Sequence, residues 1–460
     1  MNGPWSQGEL RQVLVYGLGL SGTAAVRFLL SRGVSVLAVD ARTREALDLG
    51  ELATDPRVFI LAGHEPTELP PAIDLVVVSP GVPPNRPLLE DARRQGVPVI
   101  AEVELAFPFL DGTVVAITGS NGKSTTTALT GAMLRAAGRA VEVCGNIGEP
   151  LTGKIAGPPG RVFVVEMSSF QIEGIVTFTP QAAALLNIAE DHLDRYESFG
   201  QYAAAKRVLF QGMGASGIAV LNADDAETLA VATHARRRLF SRLHPVEDGC
   251  YLGGAEGDRV FEIEPGGAPV ELFTASDVPL AGVHNLENAM AAALLARAAG
   301  VSATAIRTAL QGFRGLPHRM ERVGEAGGVV WYDDSKGTNP AATAKSIEGF
   351  PDRSVHLILG GRNKGADLVS LSPLIHRKAA RLYLIGEAAD ELERALSGAA
   401  DYEVSGTLEE AVRSAFRHAR SGEFVVLSPA CSSFDQFKNF VHRGEVFKRL
   451  VGERLGVANG

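Results

Sequence analysis

The stretch VLVYGLGLSGTAAVRFLL, residues 13–30, has the pattern of a strand, a glycine-rich turn and a helix. Gly17, Gly19 and Gly22 give G-x-G-x-x-G, and a second apolar strand ends at Asp40 about 20 residues further on. This is the fingerprint of a parallel α/β fold that places a pyrophosphate at the N-terminus of a helix. The pattern leaves open whether that pyrophosphate belongs to a nicotinamide cofactor or to another nucleotide.

A second glycine-rich loop, AITGSNGKSTT at residues 116–126, also follows an apolar strand and precedes a helix. Its backbone N–H groups predict a site for nucleotide phosphates, with Lys123 reaching the terminal phosphates and Ser124 reaching Mg²⁺. The common phosphate-loop pattern places its first glycine at the position of Ile117, but here the glycine is Gly119. The alternative to a phosphate site is a strand-to-helix turn without a ligand. The sequence G-K-S-T directly after an apolar strand argues against this alternative.

The composition of the 460-residue chain excludes several classes of protein. A net charge of −9 argues against a general nucleic-acid binder, because phosphate backbones select basic surfaces. The three cysteines have no zinc or disulfide spacing. The N-terminus has no apolar signal-peptide core and no run of 18 apolar residues occurs, so we expect a cytoplasmic protein without a membrane span.

Short β-branched runs alternate with helical stretches along most of the chain, which predicts parallel sheets covered by helices on both faces. Ten such strands are too many for one sheet of ordinary size, so several α/β domains are expected. Changes in pattern place boundaries near residues 101 and 315, giving domains 1–101, 102–315 and 316–460. The turn-rich region 241–280 predicts β-hairpins inside the second domain.

Polar residues follow the strands of the second domain. RVFVVEMSSFQI ends a strand at Glu166, and LLNIAEDHLDRY places His192 and Asp194 after another. Acids at the carboxyl ends of parallel strands lie in the crevice where ligands bind, so we expect a functional role for Glu166 and His192. Lys206 is predicted to lie on a helix among small residues. Without further information, a lysine in such a position is expected at the protein surface.

Together these segments closely resemble the Mur ligase family of peptidoglycan synthesis over nearly the whole chain. The pieces that match are GLGLSG, VVSPGV, ITGSNGKST, CGNIG, EMSSFQI, EDHLDRY, AAAKR, VHNLENAMAA, GLPHRME, DDSKGTN, LGGRNKGAD and SPACSSFDQFKNFVHRG. The family shows the same displaced glycine in its phosphate loop. The resemblance implies three α/β domains: a Rossmann-like domain for a UDP-sugar, a P-loop-type mononucleotide-binding domain for ATP, and a Rossmann-like domain that binds an amino acid and closes.

The resemblance further implies an ATP-dependent ligase that adds D-glutamate to UDP-N-acetylmuramoyl-L-alanine through an acyl phosphate and a tetrahedral intermediate. The protein is expected to be a monomer. The glycine turn of the first domain would then hold the UDP diphosphate. The residues implied for this substrate are Leu20, Ser21, Asp40 and Arg42 at the uridine diphosphate, and Ser79, Gly81, Asn146 and His192 at the sugar-peptide end.

The family also supplies expectations for ATP, the metal and the amino acid. Two Mg²⁺ ions are expected, and Lys206 would be N-carboxylated, which turns a cation into an oxygen ligand. Catalysis is assigned to Lys123, Glu166, His192 and Lys206, and the metal ligands to Ser124, Glu166, His192 and Lys206. ATP is assigned to Gly119, Asn121, Gly122, Lys123, Ser124, Thr125, Asn288, Arg319, Asp334 and Lys336. D-Glutamate is assigned to Thr338, Lys364, Ser433 and Phe440.

Several alternatives compete with this interpretation. A nicotinamide dehydrogenase would explain the first loop only, a phosphate-loop ATPase would leave the C-terminal third unassigned, and a UDP-sugar binding module would need only the first 100 residues. Within the family, ligases that add L-alanine, diaminopimelate or lysine, and the folate polyglutamylating enzyme, are the nearest rivals. SPACSSFDQFKNFVHRG favours the D-glutamate adders, and no D-N-P-R stretch is present.

Overall fold

The computed structural model describes residues 10–189, 195–280, 282–363 and 365–456. The chain forms two compact units. The first comprises residues 1–279 and 283–313, and the second comprises residues 280–282 and 314–460. The first unit contains two sheets and the second unit contains one.

The first sheet is fully parallel and has five strands in the order β3-β2-β1-β4-β5. Its strand order reverses between β1 and β4, and in sheets of this kind the crevice at that point binds ligands. Apolar side chains cover both faces, with α1 on one face and α2 on the other. The elements are β1 (Gln12–Tyr16), α1 (Leu20–Ser31), β2 (Ser35–Asp40), β3 (Val58–Ala62), β4 (Leu75–Val78), α2 (Pro87–Arg94), β5 (Val99–Ala101) and α3 (Glu102–Ala106).

The second sheet has nine strands in the order β14-β13-β12-β11-β10-β9-β6-β8-β7, and only the pairs that involve β13 are antiparallel. Helix α8 is buried from Asn288 to Ala296 and forms much of one core, because its Ala- and Leu-rich sequence fits between the sheet and α4. The elements are β6 (Gly112–Thr118), α4 (Lys123–Ala136), β7 (Val141–Gly145), β8 (Arg161–Glu166), α5 (Ser169–Ile172), β9 (Ala182–Leu185), α6 (Phe199–Arg207), β10 (Ile218–Asn222), α7 (Ala226–Leu229), β11 (Arg236–Ser241), β12 (Gly249–Gly253), β13 (Arg259–Ile263), β14 (Val270–Thr274), α8 (Val283–Ala298) and α9 (Ala303–Gly312).

The sheet of the second unit has six strands in the order β15-β16-β20-β17-β18-β19. Only β15 is antiparallel, so the other five strands end at one common edge. Apolar clusters cover both faces. The elements are β15 (Glu321–Ala326), β16 (Val329–Asp333), α10 (Pro340–Glu348), β17 (Val355–Gly360), α11 (Ser372–Lys378), β18 (Ala379–Ile385), α12 (Ala389–Ala395), β19 (Tyr402–Gly406), α13 (Leu408–His418), β20 (Phe424–Leu427) and α14 (Phe440–Leu455).

Three separate sheets agree with the three α/β domains predicted from the sequence, the first two of which lie within one compact unit, and the predicted antiparallel strands within region 241–280 are confirmed. The sequence reading did not single out several short strands, among them β3, β5 and β19. The predicted domain boundaries near residues 101 and 315 stay predictions. Among the described residues, no helix is long and apolar enough to cross a membrane.

Candidate functional site

The first glycine turn has the geometry of a pyrophosphate loop. Gly17 has φ +90°, a conformation that favours glycine, and a Cβ on Gly22 would lie 1.8 Å from the Gly17 carbonyl oxygen. Helix α1 begins after Gly19, and no side chain of the described residues caps it. Its first-turn N–H groups are therefore available to an anionic ligand.

Asp40 and Arg42, both expected at the uridine end, form a bidentate pair. Arg42 Nε and Nη2 donate to the two carboxylate oxygens of Asp40 at 3.0 and 2.8 Å, and the Leu18 N–H donates to Oδ2 at 2.6 Å. Burial on its own would raise the pKa of Asp40, but the hydrogen bonds from Arg42 and Leu18 lower it overall. Asp40 is therefore ionised, and Arg42 is committed to it.

A cavity of about 470 Å³ lies at the crevice between β1 and β4. Ser79 lines this cavity. Its hydroxyl donates a hydrogen bond to the Gly17 carbonyl oxygen at 2.6 Å and so holds the end of β4 against the glycine turn. Six of the residues predicted for the UDP-substrate line this cavity. They are Leu20, Ser21, Asp40, Arg42, Ser79 and Gly81.

The second glycine loop forms the N-terminus of α4. Gly122 has φ +82°, and a Cβ there would lie 2.1 Å from Oδ1 of Asn288, so α8 holds the loop closely. Lys123 curls back over the loop, and its Nζ donates to the carbonyl oxygens of Gly119 and Ser120 at 2.8 and 2.9 Å. The Asn121 N–H donates a hydrogen bond to Oδ1 of Asn187 at 2.8 Å.

Around this loop the structure also places Ser124 and Thr125 in the first turn of α4. Ser124 is buried, and Thr125 is half-buried. The loop therefore brings its lysine, its hydroxyl groups and the helix N-terminus together, and phosphate binding at this loop stays a prediction.

Buried polar groups lie beside the loop. Glu166 ends β8 in register with Ile117 of β6; its Oε1 accepts a hydrogen bond from Asn146 Nδ2 at 2.8 Å, while its buried Oε2 has no hydrogen-bond partner among the described residues. Lys206 is 1% exposed and donates to the Gly119 carbonyl at 3.0 Å, so the surface-lysine reading is wrong. His192 lies outside the described residues, so its predicted role stays a prediction.

This donor set fits a nucleoside triphosphate with a hard divalent cation. The unpaired buried carboxylate oxygen of Glu166 and the hydroxyl of Ser124 are oxygen ligands of the type that Mg²⁺ prefers. A buried carboxylate oxygen without a hydrogen bond is costly unless a cation or a donor meets it. The phosphate loop supplies N–H groups and the Lys123 ammonium for the phosphates.

In the second unit, Asp334 follows β16 and is buried. Its Oδ2 accepts hydrogen bonds from the hydroxyls of Ser346 and Ser428 at 2.6 and 2.7 Å. Burial raises its pKa to about 6, although these hydrogen bonds oppose the shift. Lys336 is exposed and its Nζ lies 4.0 Å from the ring centre of Phe440, and Arg319 is exposed in the preceding loop.

The loops that follow β16, β17 and β20 meet at one edge of the sheet of this unit, and the amino-acid site predicted there stays a prediction. The Ala430 N–H, in the segment that carries Ser433, donates to the carbonyl of Gly337 beside Thr338, at 2.9 Å. Ser432 and Arg362 exchange two backbone hydrogen bonds. Ser433 is buried, and Thr338 and Phe440 are half-buried; Lys364 lies outside the described residues.

Arg443 is a structural link at this edge that the sequence reasoning missed. Its buried guanidinium donates to Ser335 Oγ and to the backbone carbonyls of Ser335, Gly360 and Cys431 at 2.9–3.4 Å. It therefore ties α14 to the ends of β16, β17 and β20. The available signal was its position one helical turn after Phe440, inside a segment that already matched the family.

Models of three protein domains match the chain. A "Mur ligase MurD-like, N-terminal domain" model matches residues 11–101, a "Mur ligase middle domain" model matches residues 117–296, and a "Mur ligase, glutamate ligase domain" model matches residues 318–431. Together they span most of the chain. The dehydrogenase interpretation predicts neither the second nor the third of these domains.

Curated relatives match over nearly their full length. A UDP-N-acetylmuramoylalanine–D-glutamate ligase of Acidobacterium capsulatum is 45% identical over 453 residues, which is 97% of each chain. The enzyme of the same name from Myxococcus xanthus is 44% identical over 454 residues, covering 96% of this chain and 98% of that protein.

Solved structures share the fold at low sequence identity. A UDP-N-acetylmuramate–alanine ligase from Thermotoga maritima superposes with a TM-score of 0.60 at 18% identity, covering 97% of this chain and 100% of that one. A pseudomurein peptide ligase type C from Methanothermus fervidus gives a TM-score of 0.57 at 17% identity, covering 96% and 100%.

Proposed function

The chain belongs to the Mur ligase family, and we propose that it is the member that joins D-glutamate to UDP-N-acetylmuramoyl-L-alanine with hydrolysis of ATP to ADP and phosphate. One observation of the structure supports the ATP-dependent step most directly. The phosphate loop at α4 lies beside the buried carboxylate of Glu166, whose Oε2 has no hydrogen-bond partner among the described residues.

The reaction must activate a carboxylate, because an amine does not displace its oxygen at a useful rate. The substrate carboxylate takes the γ-phosphoryl group of ATP, giving an acyl phosphate and ADP. The amine of D-glutamate then attacks the acyl carbon, and the tetrahedral intermediate expels phosphate. Lys123 and the N–H groups of the loop bind the phosphates and offset the negative charge that builds up during transfer.

Ser124, Glu166, His192 and Lys206 are the proposed Mg²⁺ ligands, with Lys206 as a carbamate. When bound, the metal neutralises charge on the phosphates and on the substrate carboxylate. Asn146 Nδ2 donates a hydrogen bond to Glu166 Oε1 and so fixes the orientation of the carboxylate. Oε2, which has no hydrogen-bond partner among the described residues, is the oxygen left to bind the metal.

The binding sites for the UDP-substrate and for D-glutamate are proposed at the first sheet and at the sheet of the second unit. The cavity at β1 and β4 binds the UDP moiety, with the diphosphate at the N-terminus of α1. The strand ends of the second unit bind D-glutamate through Thr338, Lys364, Ser433 and Phe440. Three further residues of this unit contribute to ATP binding: Arg319, Asp334 and Lys336. The enzyme acts as a monomer in the cytoplasm, where peptidoglycan precursors for the cell wall, cell shape and division are made.

Phosphate release tests the proposal. The purified chain is given ATP, Mg²⁺ and a panel of UDP-muramoyl acceptors against a panel of amino acids, and the product is identified by mass. We expect release only with UDP-N-acetylmuramoyl-L-alanine and D-glutamate. Comparable turnover with L-alanine, L-lysine or diaminopimelate would assign the chain to a sister ligase, and release without any amino acid would make it an ATPase.

A further inference from the structure

A side-chain amide binds the backbone at each end of the pairing between β6 and β9. At the amino-terminal edge of the sheet, Gln181 Oε1 accepts a hydrogen bond from the Val114 N–H at 2.6 Å. At the carboxyl edge, Asn187 Oδ1 accepts from the Asn121 N–H at 2.8 Å, and Asn187 Nδ2 donates to the Asn121 carbonyl oxygen at 3.2 Å. The Ser120 N–H also donates to the carbonyl oxygen of Asn187, at 2.9 Å. The first amide therefore serves only the strands, whereas the second holds the phosphate loop.

The phosphate loop needs such a hold, because its own sequence gives it little stiffness. Gly119 and Gly122 have φ values of +153° and +82°, and glycine has more conformational freedom than any other residue. A loop that is free before binding loses this freedom when a ligand orders it, and the affinity falls accordingly. Asn121 lies between the two glycines, so the paired hydrogen bonds from Asn187 restrict the loop where glycine leaves it free.

The segment that carries Asn187 is itself fixed from the side of β10. Asn222, the last residue of β10, donates through Nδ2 to the Leu186 carbonyl oxygen at 3.0 Å. The Asp225 carboxylate accepts a hydrogen bond from the Ile188 N–H at 2.9 Å. A side chain can position a neighbouring loop only when its own backbone is held, and both neighbours of Asn187 in the chain meet this condition.

Lys123 and Asn187 hold the loop in different ways. Lys123 Nζ donates to the carbonyl oxygens of Gly119 and Ser120. The same ammonium is the proposed phosphate ligand, and each proton that it gives to a phosphate is lost to the loop carbonyls. Asn187 is uncharged and bonds to the N–H and the carbonyl of one residue, Asn121, so its hold on the loop does not depend on where Lys123 points.

We propose that Asn187 is a positioning residue for ATP, whose side-chain amide keeps the phosphate loop in the shape that receives the β- and γ-phosphates, an inference that rests on the proposed function. Asn187 acts through the backbone of Asn121. Loss of its amide leaves the loop to be ordered by the nucleotide itself, which lowers the affinity for ATP. The UDP-substrate and D-glutamate bind at other sheets, so their binding does not depend on Asn187.

Calorimetric titration of the full chain with Mg²⁺ and AMP-PNP, an ATP analogue that is not hydrolysed, tests the inference. Asn187→Ala should weaken AMP-PNP binding by about tenfold, because it removes two hydrogen bonds from the loop. Asn187→Leu, which keeps the side-chain volume without hydrogen-bonding groups, should weaken it equally. Gln181→Ala is the matched control, because it removes a side-chain amide from the same pair of strands at the other edge. It should bind AMP-PNP as the wild-type chain does.

The control variant separates positioning of the loop from stability of the sheet. Thermal unfolding sets a titration temperature at which all variants are folded. Equal losses of AMP-PNP affinity in Asn187→Ala and Gln181→Ala would overturn the inference, because the pairing of the strands would then suffice to explain both. Wild-type affinity in Asn187→Leu would also overturn it, because packing alone would then shape the loop.

Steady-state ligation distinguishes this inference from the proposed function. In Asn187→Ala the KM for ATP should rise by about tenfold, while the KM values for D-glutamate and the UDP-substrate stay near those of the wild-type chain. A chain that ligates D-glutamate but binds AMP-PNP equally with and without the Asn187 amide refutes this inference alone. A chain that does not ligate but needs Asn187 for AMP-PNP binding refutes the proposed function alone.

Discussion

The side chains of Lys123 and Lys206 converge on one acceptor, the carbonyl oxygen of Gly119, at 2.8 and 3.0 Å. Lys206 is almost fully buried and Lys123 is half-buried, so water offers little screening between them. Two ammonium groups at such a point repel each other. Carboxylation of Lys206 would remove this repulsion, because it would replace one of the two positive charges with a carbamate that attracts Lys123 and would offer oxygen ligands to Mg²⁺.

We therefore predict that Lys206 acts as a carbamate. Lys206→Ala should lower ligase activity by about 100-fold or more, because it removes a metal ligand. Added formate or acetate should restore part of the activity by supplying the missing carboxylate, and removal of dissolved CO₂ should inhibit the wild-type chain. The measurement is steady-state phosphate release.

Lys154→Ala is the matched control, because Lys154 pairs with Glu142 and Glu149 at the surface of the same unit. It should keep its activity and show no response to small carboxylates. Full activity of Lys206→Ala without any added carboxylate would contradict the carbamate role.

Lys123 is predicted to be indispensable for phosphoryl transfer. It is the cation of the loop GSNGKST, and its Nζ rests on the loop carbonyls where phosphates are expected. Lys123→Ala should reduce kcat/KM by about 1,000-fold or more while the melting temperature changes little. Near-normal ligation by a well-folded variant would refute the assignment.

The raised pKa of Asp334 predicts a measurable pH dependence of stability. The folded state keeps the proton to about pH 6, whereas the carboxyl of the unfolded chain loses it near its ordinary pKa of 3.8. The folded state binds more protons in this window, so Asp334 makes the free energy of unfolding fall as pH rises from about 4 to 6, by up to about 3 kcal/mol.

Asp334→Asn should remove this slope, because an amide does not ionise. Urea unfolding of both proteins between pH 4 and 8 is the measurement. The difference in unfolding free energy, variant minus wild type, should rise in favour of the variant up to about pH 6 and stay level above it. A difference that does not change with pH would show that Asp334 ionises normally in the folded chain.

Arg443 should be important for stability. Its guanidinium serves four acceptors on three strand ends, and burial lowers its pKa to about 10, which still leaves it charged at neutral pH. Arg443→Met leaves buried carbonyls without donors, so we expect a loss of about 3 kcal/mol or more in unfolding free energy. Arg449→Met, on the exposed part of α14, should cost little. Equal stability of the two variants would contradict this role.

The contrast between particular residues explains what the sequence could predict. The pattern of a strand followed by glycines is local. The sequence of residues 13–30 and 116–126 was therefore enough to predict a strand, a glycine-rich turn and a helix at both places. The environment of Lys206 is set by the carbonyl of Gly119, 87 residues away in the chain, so it could not be inferred from neighbouring residues. Asn187 shares no local motif with the phosphate loop, and only the pairing of β6 with β9 brings its side chain to Asn121.

The last prediction concerns the amino acid bound by the second unit. Thr338 and Ser433 follow neighbouring strands whose loops are hydrogen-bonded together, and Arg362, two residues before Lys364, is bonded to Ser432. A dicarboxylate at this edge needs a cation, and Lys364 is the predicted one. Lys364→Ala should therefore raise the KM for D-glutamate by tenfold or more while the KM values for ATP and the UDP-substrate change little.

Lys448→Ala is the control for this prediction, because Lys448 pairs with Glu321 and so also removes a positive charge from the same unit. Its KM for D-glutamate should stay near that of the wild-type chain. Ser433→Ala should raise the same KM more modestly, since it removes one neutral donor. If Lys364→Ala raised all three KM values equally, the lysine would support the fold of the unit rather than bind the amino acid.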